Sequence, residues 1–474
     1  MDMPAPHAPD LRTRFDRIHA ASRAAPVVPW PLRRDRLERL RAVVRDGRRV
    51  LGRAIAEDFG HRPQAETDLA EVFPVLDGIA DALARTPRRM RRRPVAAGRW
   101  LFPARAWIDP QPLGVVGIVA PWNYPLMLSA GPLTAALAAG NRAMLKLSEH
   151  APAFAEAFAA ALAARFAEDE VAVVTGGPEI AGTFVALPFD HLLFTGSTAT
   201  GRRVMAAAAA NLTPVTPELG GKSPALVAPD VAGARLEAAA GRIMAGKLLN
   251  AGQTCIAPDH VLVPRDRVEP FLEAARTWVG RHYPALEANP DYSRIVNDGH
   301  FDRLAGWLDD AGAAGARLVA LSPAAPDPEA RLLPPVAVLD APADGALMTE
   351  EIFGPILPVL PYDGLRDAVR AIAAGPRPLA FYPFTDDAET RELLLSHVVA
   401  GGVTVNDTLL HAAAAGLPFG GVGASGMGAY NGAAGFERLS HLAPRLAQAR
   451  RNAAGWVTPP YGRRFRWLMR LMTR

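Results

Sequence analysis

Apolar and polar residues follow a helical period in the first part of this chain. Between residues 32 and 85 the apolar positions recur every three to four residues, as at Leu37, Leu40, Val43 and Val44. Such spacing places them on one face of a helix. The pattern therefore predicts a helical N-terminal region whose other faces meet solvent.

Short apolar runs that alternate with helical patterns begin near residue 114. The first are GVVGIVA (114–120), NRAMLKLS (141–148), VAVVTG (171–176) and DHLLFTG (190–196). Strands alternating with helices are typical of a parallel, doubly wound sheet. A second alternating region follows residue 219, with DHVLVP and PILPVLPY as candidate strands. We therefore predict an α/β protein with two doubly wound domains.

The stretch from Gly114 to Gly140 carries no charge and is long enough to suggest a membrane span. Pro121 and Pro125 interrupt it, and it begins like a strand, so we predict a strand, a loop and a helix instead. Just before it, RAWIDPQPLG (105–114) is extended and contains prolines, which indicates a protruding hairpin.

The composition is that of a globular protein, with 50% hydrophobic and 21% charged residues and a net charge of +4. Cys255 is the single cysteine, so no intrachain disulfide forms and a cytoplasmic setting is expected. The N-terminus lacks the pattern of a secretory signal. The basic run TPRRMRRRP (86–94) lacks interleaved aromatic residues, so we interpret it as a solvated face and expect neither nucleic-acid binding nor a metal site.

Two glycine patterns are candidates for a nucleotide site. GGVGASG (420–426) has the spacing of a dinucleotide fingerprint, but no apolar helix follows it, so we predict a loop. FTGSTATG (194–201) follows a strand and opens a helix, whose free N–H groups favour a pyrophosphate. Lys146 and Glu149 end another strand, where they either hold ribose hydroxyls or form a surface ion pair.

Cys255 lies in NAGQTCIAP (250–258), among loop-forming residues. A cysteine kept for packing lies more often among Val, Leu and Ile, whereas a nucleophilic cysteine must be an accessible thiolate. We expect the second kind here. The candidate acid/base partner is Glu218, which ends a strand and is followed by Gly220 and Gly221, where backbone can approach a ligand closely.

Six motifs occur in order: PWNYP (121–125), FTGSTATG, ELGGKSP, NAGQTC, EEIFGP (350–355) and NDT…LPFGGVGASGMG (406–428). Together they resemble the aldehyde dehydrogenase superfamily, from about residue 30 to about residue 445. The stretch DFGHRPQAETDLAEVFPVL (58–76) and the short chain are similar to class 3 of that superfamily, and within it to bacterial coniferyl-aldehyde dehydrogenases.

The resemblance implies that Cys255 attacks an aldehyde carbonyl, that Asn123 donates to the resulting oxyanion, and that Glu218 activates the water that hydrolyses the thioester. It implies NAD as cofactor, with NADP as the alternative, since a carboxylate at Glu149 would repel a 2′-phosphate. Pro217, where the family usually has an apolar residue, restricts Glu218. The implied cofactor contacts are Trp122, Lys146, Glu149, Gly196, Ser197, Gly201, Glu351 and Phe353.

The resemblance also implies a division of the chain and a homodimer. An NAD(P)-binding domain covers 1–218, with a bridging oligomerisation hairpin at about 99–113. A catalytic domain covers 219–411, and residues 412–450 return to the cofactor and oligomerisation region. A basic amphipathic tail covers 451–474.

In that tail, GRRFRWLMRLMTR (462–474) is amphipathic if helical. The apolar positions share one face: Phe465, Leu468, Met469 and Met472. The opposite charge comes from five arginines: Arg463, Arg464, Arg466, Arg470 and Arg474. Such a helix suits an anionic membrane surface, which would make the protein peripheral to a membrane. Packing against a partner subunit explains the same pattern.

We consider three functional hypotheses for this sequence. The leading one is NAD(P)-dependent oxidation of an aldehyde, either aromatic (coniferyl-type) or medium- to long-chain aliphatic, to the acid. A CoA-acylating enzyme is not expected to keep Glu218. A non-catalytic binding protein is disfavoured because Cys255, Glu218, Asn123 and Glu351 occur together.

Overall fold

The computed structural model describes residues 8–452 and 454–473, in which helices cover two largely parallel sheets. The helices are α1 (Ala8–Ala24), α2 (Trp30–Asp58), α3 (Gln64–Thr67), α4 (Phe73–Arg89), α5 (Met127–Ala139), α6 (Pro152–Ala163), α7 (Pro178–Val185), α8 (Thr198–Ala209), α9 (Ala234–Leu248), α10 (Val268–His282), α11 (Asp298–Ala313), α12 (Ala346–Thr349), α13 (Leu365–Ala374), α14 (Ala388–His397), α15 (Leu410–Ala413), α16 (Gly432–Arg438) and α17 (Arg463–Met472). The strands are β1 (Arg93–Val95), β2 (Arg105–Pro112), β3 (Val115–Val119), β4 (Arg142–Lys146), β5 (Val171–Val174), β6 (His191–Thr195), β7 (Val215–Glu218), β8 (Pro224–Val227), β9 (His260–Pro264), β10 (Arg317–Ala320), β11 (Val336–Leu339), β12 (Ile356–Tyr362), β13 (Ala380–Phe384), β14 (Gly402–Val403) and β15 (Ser440–Ala447).

The first sheet is parallel, with the strand order β5-β4-β3-β6-β7. Its strands confirm the four apolar runs predicted between residues 114 and 196. The chain builds outward from β3 to β5 on one side and then returns to add β6 and β7 on the other. Ligands of doubly wound sheets bind at the carboxyl ends of the strands where the order reverses in this way. The crevice between β3 and β6 is such a place.

The second sheet has the order β10-β11-β12-β9-β8-β13-β14. All its pairs are parallel except β10 with β11, so the predicted parallel sheet has one antiparallel edge strand. In β10 only Val319 is buried, which is typical of an edge strand exposed on one side. The two sheets are joined directly by residues 219–223, between β7 and β8.

A third, antiparallel sheet has the order β1-β2-β15. The hairpin expected at about 99–113 is larger than predicted, because its first strand, β1, lies before residue 99 and Gly98 turns the chain with φ +84°. Strand β15 pairs with β2 along the whole of β2. A segment more than 300 residues away in sequence therefore completes the hairpin, which no local pattern reveals.

The remaining element predictions are confirmed. Helix α2 buries the predicted apolar stripe, and the uncharged segment forms β3, a loop and α5. Residues 420–431 are irregular, as predicted for the second glycine pattern. No described helix combines the length and apolarity needed to cross a bilayer. The tail forms α17, in which no side chain is buried; Arg474 lies outside the described residues.

Candidate active site

Cys255 follows α9 and a 3-10 turn, Leu249–Gly252, that bends the chain sharply. Three successive residues have left-handed backbones: Asn250 (φ 54°), Ala251 (φ 51°) and Gly252 (φ 78°). At Gly252 a side chain has no room, since a Cβ would lie 2.3 Å from the carbonyl oxygen of Gly354. The bend costs conformational energy that the surrounding contacts must offset.

Gln253, which is fully buried, supplies several of those contacts. Its Nε2 donates to the carbonyl oxygens of Asn250 (2.9 Å) and Arg294 (3.0 Å). Its Oε1 accepts from the amide of Val296 at 2.9 Å. The amide group thus satisfies three backbone groups and fixes the loop that carries the thiol.

Asn123, on the loop after β3, lies against this segment and is 3% exposed. Its Nδ2 donates to the carbonyl oxygen of Gln253 at 3.0 Å, while the other hydrogen of that amide has no acceptor among the described residues. The Tyr124 hydroxyl and Thr254 Oγ1, 2.7 Å apart, brace the same two loops. One amide donor is therefore positioned beside Cys255 and remains unused.

Glu218 ends β7, opposite Thr195 of β6, and is 3% exposed. No side chain among the described residues pairs with either carboxylate oxygen. Burial raises the pKa of this carboxyl well above its usual range, although the charge of Arg438 and the backbone amide of Gly421 oppose the effect. Pro217 does not disturb the strand, because its carbonyl accepts from the Met427 amide at 3.1 Å.

The sequence predicts an ionised Cys255 thiol, whereas its surroundings in the structure favour the protonated form. The residue is partly exposed, yet burial of the sulfur, together with the charges of Glu351 and Glu218, raises the pKa of the thiol to about 12. The loop-forming sequence correctly indicates a turn. It does not reveal the two carboxylates and the packing that keep the free thiol protonated.

The crevice of the first sheet contains several of the residues implied as cofactor contacts. Lys146 Nζ donates to Glu149 Oε2 at 2.8 Å and to the Leu147 carbonyl at 2.9 Å, so the two residues do form an ion pair. Ser197 caps α8, its Oγ accepting from the Thr200 amide at 3.3 Å. These groups converge at the carboxyl ends of β4 and β6, as expected for a nucleotide site.

The local backbone fits a dinucleotide. A Cβ at Gly201 would lie 2.6 Å from the Leu219 side chain, and one at Gly196 would lie 2.7 Å from the ring of Phe194. A larger residue at either position would displace the Leu219 or Phe194 side chain, and glycine leaves the first turn of α8 bare for close approach by a phosphate.

Glu351 and Phe353 come from the second sheet's side of the crevice. Oε1 of Glu351 has no partner among the described residues, and burial raises the pKa of that carboxyl to about 8. The carboxylate lies directly over Gly220, where a Cβ would be 1.9 Å from Oε2. Phe353 (φ 54°) places its ring 5.4 Å from that of Trp122.

Lys222 holds in place the loop that carries Glu351. Its Nζ is hydrogen-bonded to Asp259 and donates to the carbonyl oxygens of Leu347 (2.8 Å) and Glu350 (2.9 Å). Asp259 Oδ1 in turn accepts from the Ile352 amide at 2.9 Å. The backbone on both sides of Glu351 is therefore fixed by one buried ion pair.

A second buried network was missed at the sequence level. Arg62 Nη1 lies 2.6 Å from Glu71 Oε1, and Glu71 Oε2 accepts from the amide of Leu126 at 2.7 Å. Glu66 Oε1 accepts from the Asn250 amide at 3.0 Å. The network joins the Asn123 loop to the Cys255 loop. These acidic residues lie in the stretch 58–76, where they were noted only as part of a resemblance.

A thiol, an unused amide donor and an unpaired carboxylate therefore lie beside a crevice suited to a dinucleotide. Bond formation between a carbonyl carbon and a thiolate, followed by hydride loss to a nicotinamide, requires this combination. The fold and the crevice define a nicotinamide-dependent oxidoreductase.

Comparison with known proteins narrows this class of oxidoreductases to one family. The model of the aldehyde dehydrogenase family matches residues 2–443, and the chain belongs to that family. It is an NAD(P)-dependent aldehyde dehydrogenase. The resemblance drawn from the six motifs is thereby confirmed.

Individual relatives are similar to this protein over nearly its whole length. A probable coniferyl aldehyde dehydrogenase of Pseudomonas aeruginosa is 48% identical over 453 residues, covering 96% of this chain and 94% of that protein. Aldehyde dehydrogenase family 3 member A2 of Mus musculus is 38% identical over 435 residues (91% and 87%). The solved structure of the substrate-bound state of Staphylococcus aureus AldH is 33% identical, with a TM-score of 0.92 and 100% of both chains covered.

Proposed function

We propose that this enzyme oxidises an aldehyde to the carboxylic acid with Cys255 as nucleophile, Asn123 as oxyanion donor and Glu218 as general base. The observation that carries the proposal is the Glu218 carboxylate. It is buried, no side chain among the described residues pairs with it, and its charge contributes to the raised pKa of the Cys255 thiol. A carboxylate in that position can accept the proton of a water that attacks an acyl group on the sulfur.

In the first step the thiol proton of Cys255 passes to solvent, Sγ bonds to the carbonyl carbon, and the carbonyl π-electrons move to oxygen. The unused N–H of Asn123 Nδ2 and the backbone N–H of Cys255 stabilise the resulting oxyanion. The carbon then carries a hydrogen that can leave as hydride, for which NAD held in the crevice would supply the acceptor. A thioester on Cys255 remains.

In the second step Glu218 removes a proton from water as the water oxygen bonds to the acyl carbon. The C–S bond then breaks, the thiolate leaves, and the carboxylic acid is released. The raised pKa of Glu218 makes it a stronger base than an ordinary carboxylate, but only above the pH at which it is ionised. Deacylation should therefore accelerate as the pH rises.

For the cofactor we propose NAD in preference to NADP. Lys146 and Glu149 hold the adenosine ribose, where the Glu149 carboxylate repels a 2′-phosphate. Gly196, Ser197 and Gly201 surround the pyrophosphate. Glu351 accepts from the nicotinamide ribose, while Trp122 and Phe353 pack beside the ring.

Replacing Glu218 by glutamine tests the assignment. The amide cannot accept the proton of water, so a rapid burst of about one NADH per site should be followed by slow turnover. A steady rate equal to that of the wild type would overturn the role of Glu218. Addition of CoA to the variant distinguishes water from a thiol as the acyl acceptor, because only a CoA-acylating enzyme would recover full turnover.

We propose aromatic aldehydes of the coniferyl type as substrates, with medium- and long-chain aliphatic aldehydes as the second candidate. Support comes from the coniferyl aldehyde dehydrogenase of P. aeruginosa named above. Kinetic constants for aromatic, short aliphatic and long-chain aldehydes with NAD and with NADP decide between these classes.

We propose the following division of labour along the chain. Residues 1–218 bind the cofactor, 219–411 carry the nucleophile, and 412–450 return to the first region. The β1-β2-β15 sheet is the oligomerisation element of a homodimer. The exposed apolar side chains at its tip, Leu101 (44% exposed) and Phe102 (79% exposed), support this role.

We propose a cytoplasmic enzyme that contacts anionic membranes through α17. The helix buries no side chain; Met472 of its apolar face is exposed, as are Trp467 and Leu471 among the arginines. Deleting residues 462–474 should abolish sedimentation with phosphatidylserine vesicles and leave the dimer intact. A truncated chain that becomes monomeric would show instead that the tail packs against the partner subunit.

A further inference from the structure

A cleft of about 670 Å³, including space open to solvent, lies between α4, α5 and the segment 412–436. Its walls are mostly small: Gly131, Ala135, Ala138, Ala412 and Ala413 contribute much of the lining. Small side chains on packed helices leave a slot into which an extended apolar group fits.

One end of this cleft borders the proposed active site. Met127, in the lining, begins α5 four residues after Asn123, and its amide donates to Glu71 at 3.1 Å. Tyr430, also in the lining, is buried with no hydrogen bond from its hydroxyl to a described residue. The segment that carries Tyr430 also reaches the proposed general base, because Gly426 forms an isolated β-bridge with Glu218.

The cleft extends from there along α4. Its lining includes Val75 near the start of that helix and Asp81 farther along. Six helical residues separate these two positions, which is about 9 Å at 1.5 Å per residue. This part of the cleft is therefore long enough to hold the extended body of a phenylpropenal.

Arg89 places a cation at that second end. Its Nη2 donates to Asp81 Oδ2 at 2.8 Å, so the guanidinium reaches back to the level of Asp81. The side chain is 12% exposed and lines the cleft. The basic run 86–94 is therefore not wholly a solvated face, as its sequence indicated, because Arg89 is turned inward.

Arg89 also has N–H donors that no hydrogen bond with a described residue engages. A guanidinium has five N–H groups, and Arg89 uses one of them in a hydrogen bond with a described residue. Asp81 is shared with Arg85, whose Nε lies 2.8 Å from Oδ1. Two arginines share one carboxylate, so Asp81 does not engage the remaining donors of Arg89.

We propose that Arg89 determines specificity by donating a hydrogen bond to an oxygen at the end of the substrate opposite the aldehyde. The ligand class is an aldehyde with an extended apolar body and a distal phenol, methoxy or carboxylate oxygen. The inference rests on the proposed reaction at Cys255 and narrows its substrate. Arg89 selects and positions the substrate and takes no part in bond making.

The test compares Arg89→Met with Arg85→Met on two substrates, cinnamaldehyde and 4-hydroxy-3-methoxycinnamaldehyde. Arg85 is the matched control, since it binds the same carboxylate but is 65% exposed and does not line the cleft. We expect Arg89→Met to lower kcat/KM for the oxygenated substrate about tenfold, mainly through KM. Its kcat/KM for cinnamaldehyde should stay within about twofold, and Arg85→Met should change neither substrate.

Arg89→Lys, which keeps the charge, should restore part of the preference and covers the case in which the methionine variant folds poorly. Equal losses on both substrates, or equal effects of Arg85→Met and Arg89→Met, would overturn the proposal. So would an unchanged preference in Arg89→Met. In each of these cases Cys255-dependent NADH formation would persist, whereas failure of the proposed function would remove aldehyde turnover for every substrate.

Discussion

Replacing Asn123 by alanine removes the side-chain donor assigned to the oxyanion. In the structure one hydrogen of Asn123 Nδ2 is committed to the Gln253 carbonyl at 3.0 Å, so one is left for the substrate oxygen. Loss of one oxyanion donor typically lowers kcat by ~10²–10³, or about 2.7–4 kcal/mol. We expect a loss in that range, with KM changing much less because the interaction forms fully only in the transition state.

Stability should change far less than rate. The Gln253 carbonyl keeps a second donor, Asn250 Nδ2 at 3.3 Å, when Asn123 is shortened. The variant therefore loses one net hydrogen bond, about 1 kcal/mol of folding free energy, and orphans no buried acceptor. Melting curves with and without NAD measure this, while NADH absorbance at saturating cofactor gives kcat and KM.

Tyr124→Phe is the matched control for Asn123→Ala. It removes a hydrogen bond of similar kind, between the Tyr124 hydroxyl and Thr254 Oγ1 at 2.7 Å, from the same pair of loops. We expect a comparable small effect on melting temperature and less than about a tenfold loss of kcat. The reasoning is refuted if Asn123→Ala keeps kcat within about fivefold of the wild type, or if the two variants lose equal rate.

Three further predictions follow from other parts of the site and fold. Gly220→Ala should raise KM for NAD with little loss of stability, because the new Cβ would lie 1.9 Å from the Glu351 carboxylate and displace it; an unchanged KM would mean that Glu351 does not contact the cofactor. Without cofactor, alkylation of Cys255 by iodoacetamide should be slow at pH 7 and should rise about tenfold per pH unit, since the pKa of the thiol is about 12; a plateau below pH 9 would show a thiol that ionises more readily. Burial opposes ionisation of Glu170, but hydrogen bonds from Arg39 and Arg36 outweigh it and lower the pKa to about 2. Glu170→Gln should therefore lower the melting temperature at pH 7, and the difference from wild type should shrink as the pH falls from 4.5 towards 2. An equal difference at both pH values would contradict the pairing.

The sheets could be predicted from sequence because their signals are local. Apolar runs such as GVVGIVA predict buried strands, and FTGSTATG places the helix N-terminus after one of them. The candidate site residues could be chosen because each lies in a motif with its own neighbours. The structure places Asn123 against the loop that carries Cys255 and Glu218 at the end of β7, so the candidate residues come from three separate parts of the chain.

What the sequence did not reveal depends on contacts between distant segments. Glu66 reaches Asn250 across 184 residues, and β15 pairs with β2 across more than 300. The pKa of the Cys255 thiol is raised by burial and by the charges of Glu351 and Glu218. Neither carboxylate is close to Cys255 in the sequence. Arg89 looked like part of a solvated basic run because its inward turn is set by Asp81, eight residues earlier in α4.

Capture of the acyl-enzyme tests the central claim most directly. Glu218→Gln is mixed with NAD and aldehyde, quenched in acid after the burst, digested, and analysed by mass spectrometry. The account predicts an acyl group on the peptide containing Cys255, in an amount equal to the NADH of the burst. Absence of any adduct on that peptide, or near wild-type NADH formation by Cys255→Ala, would contradict it.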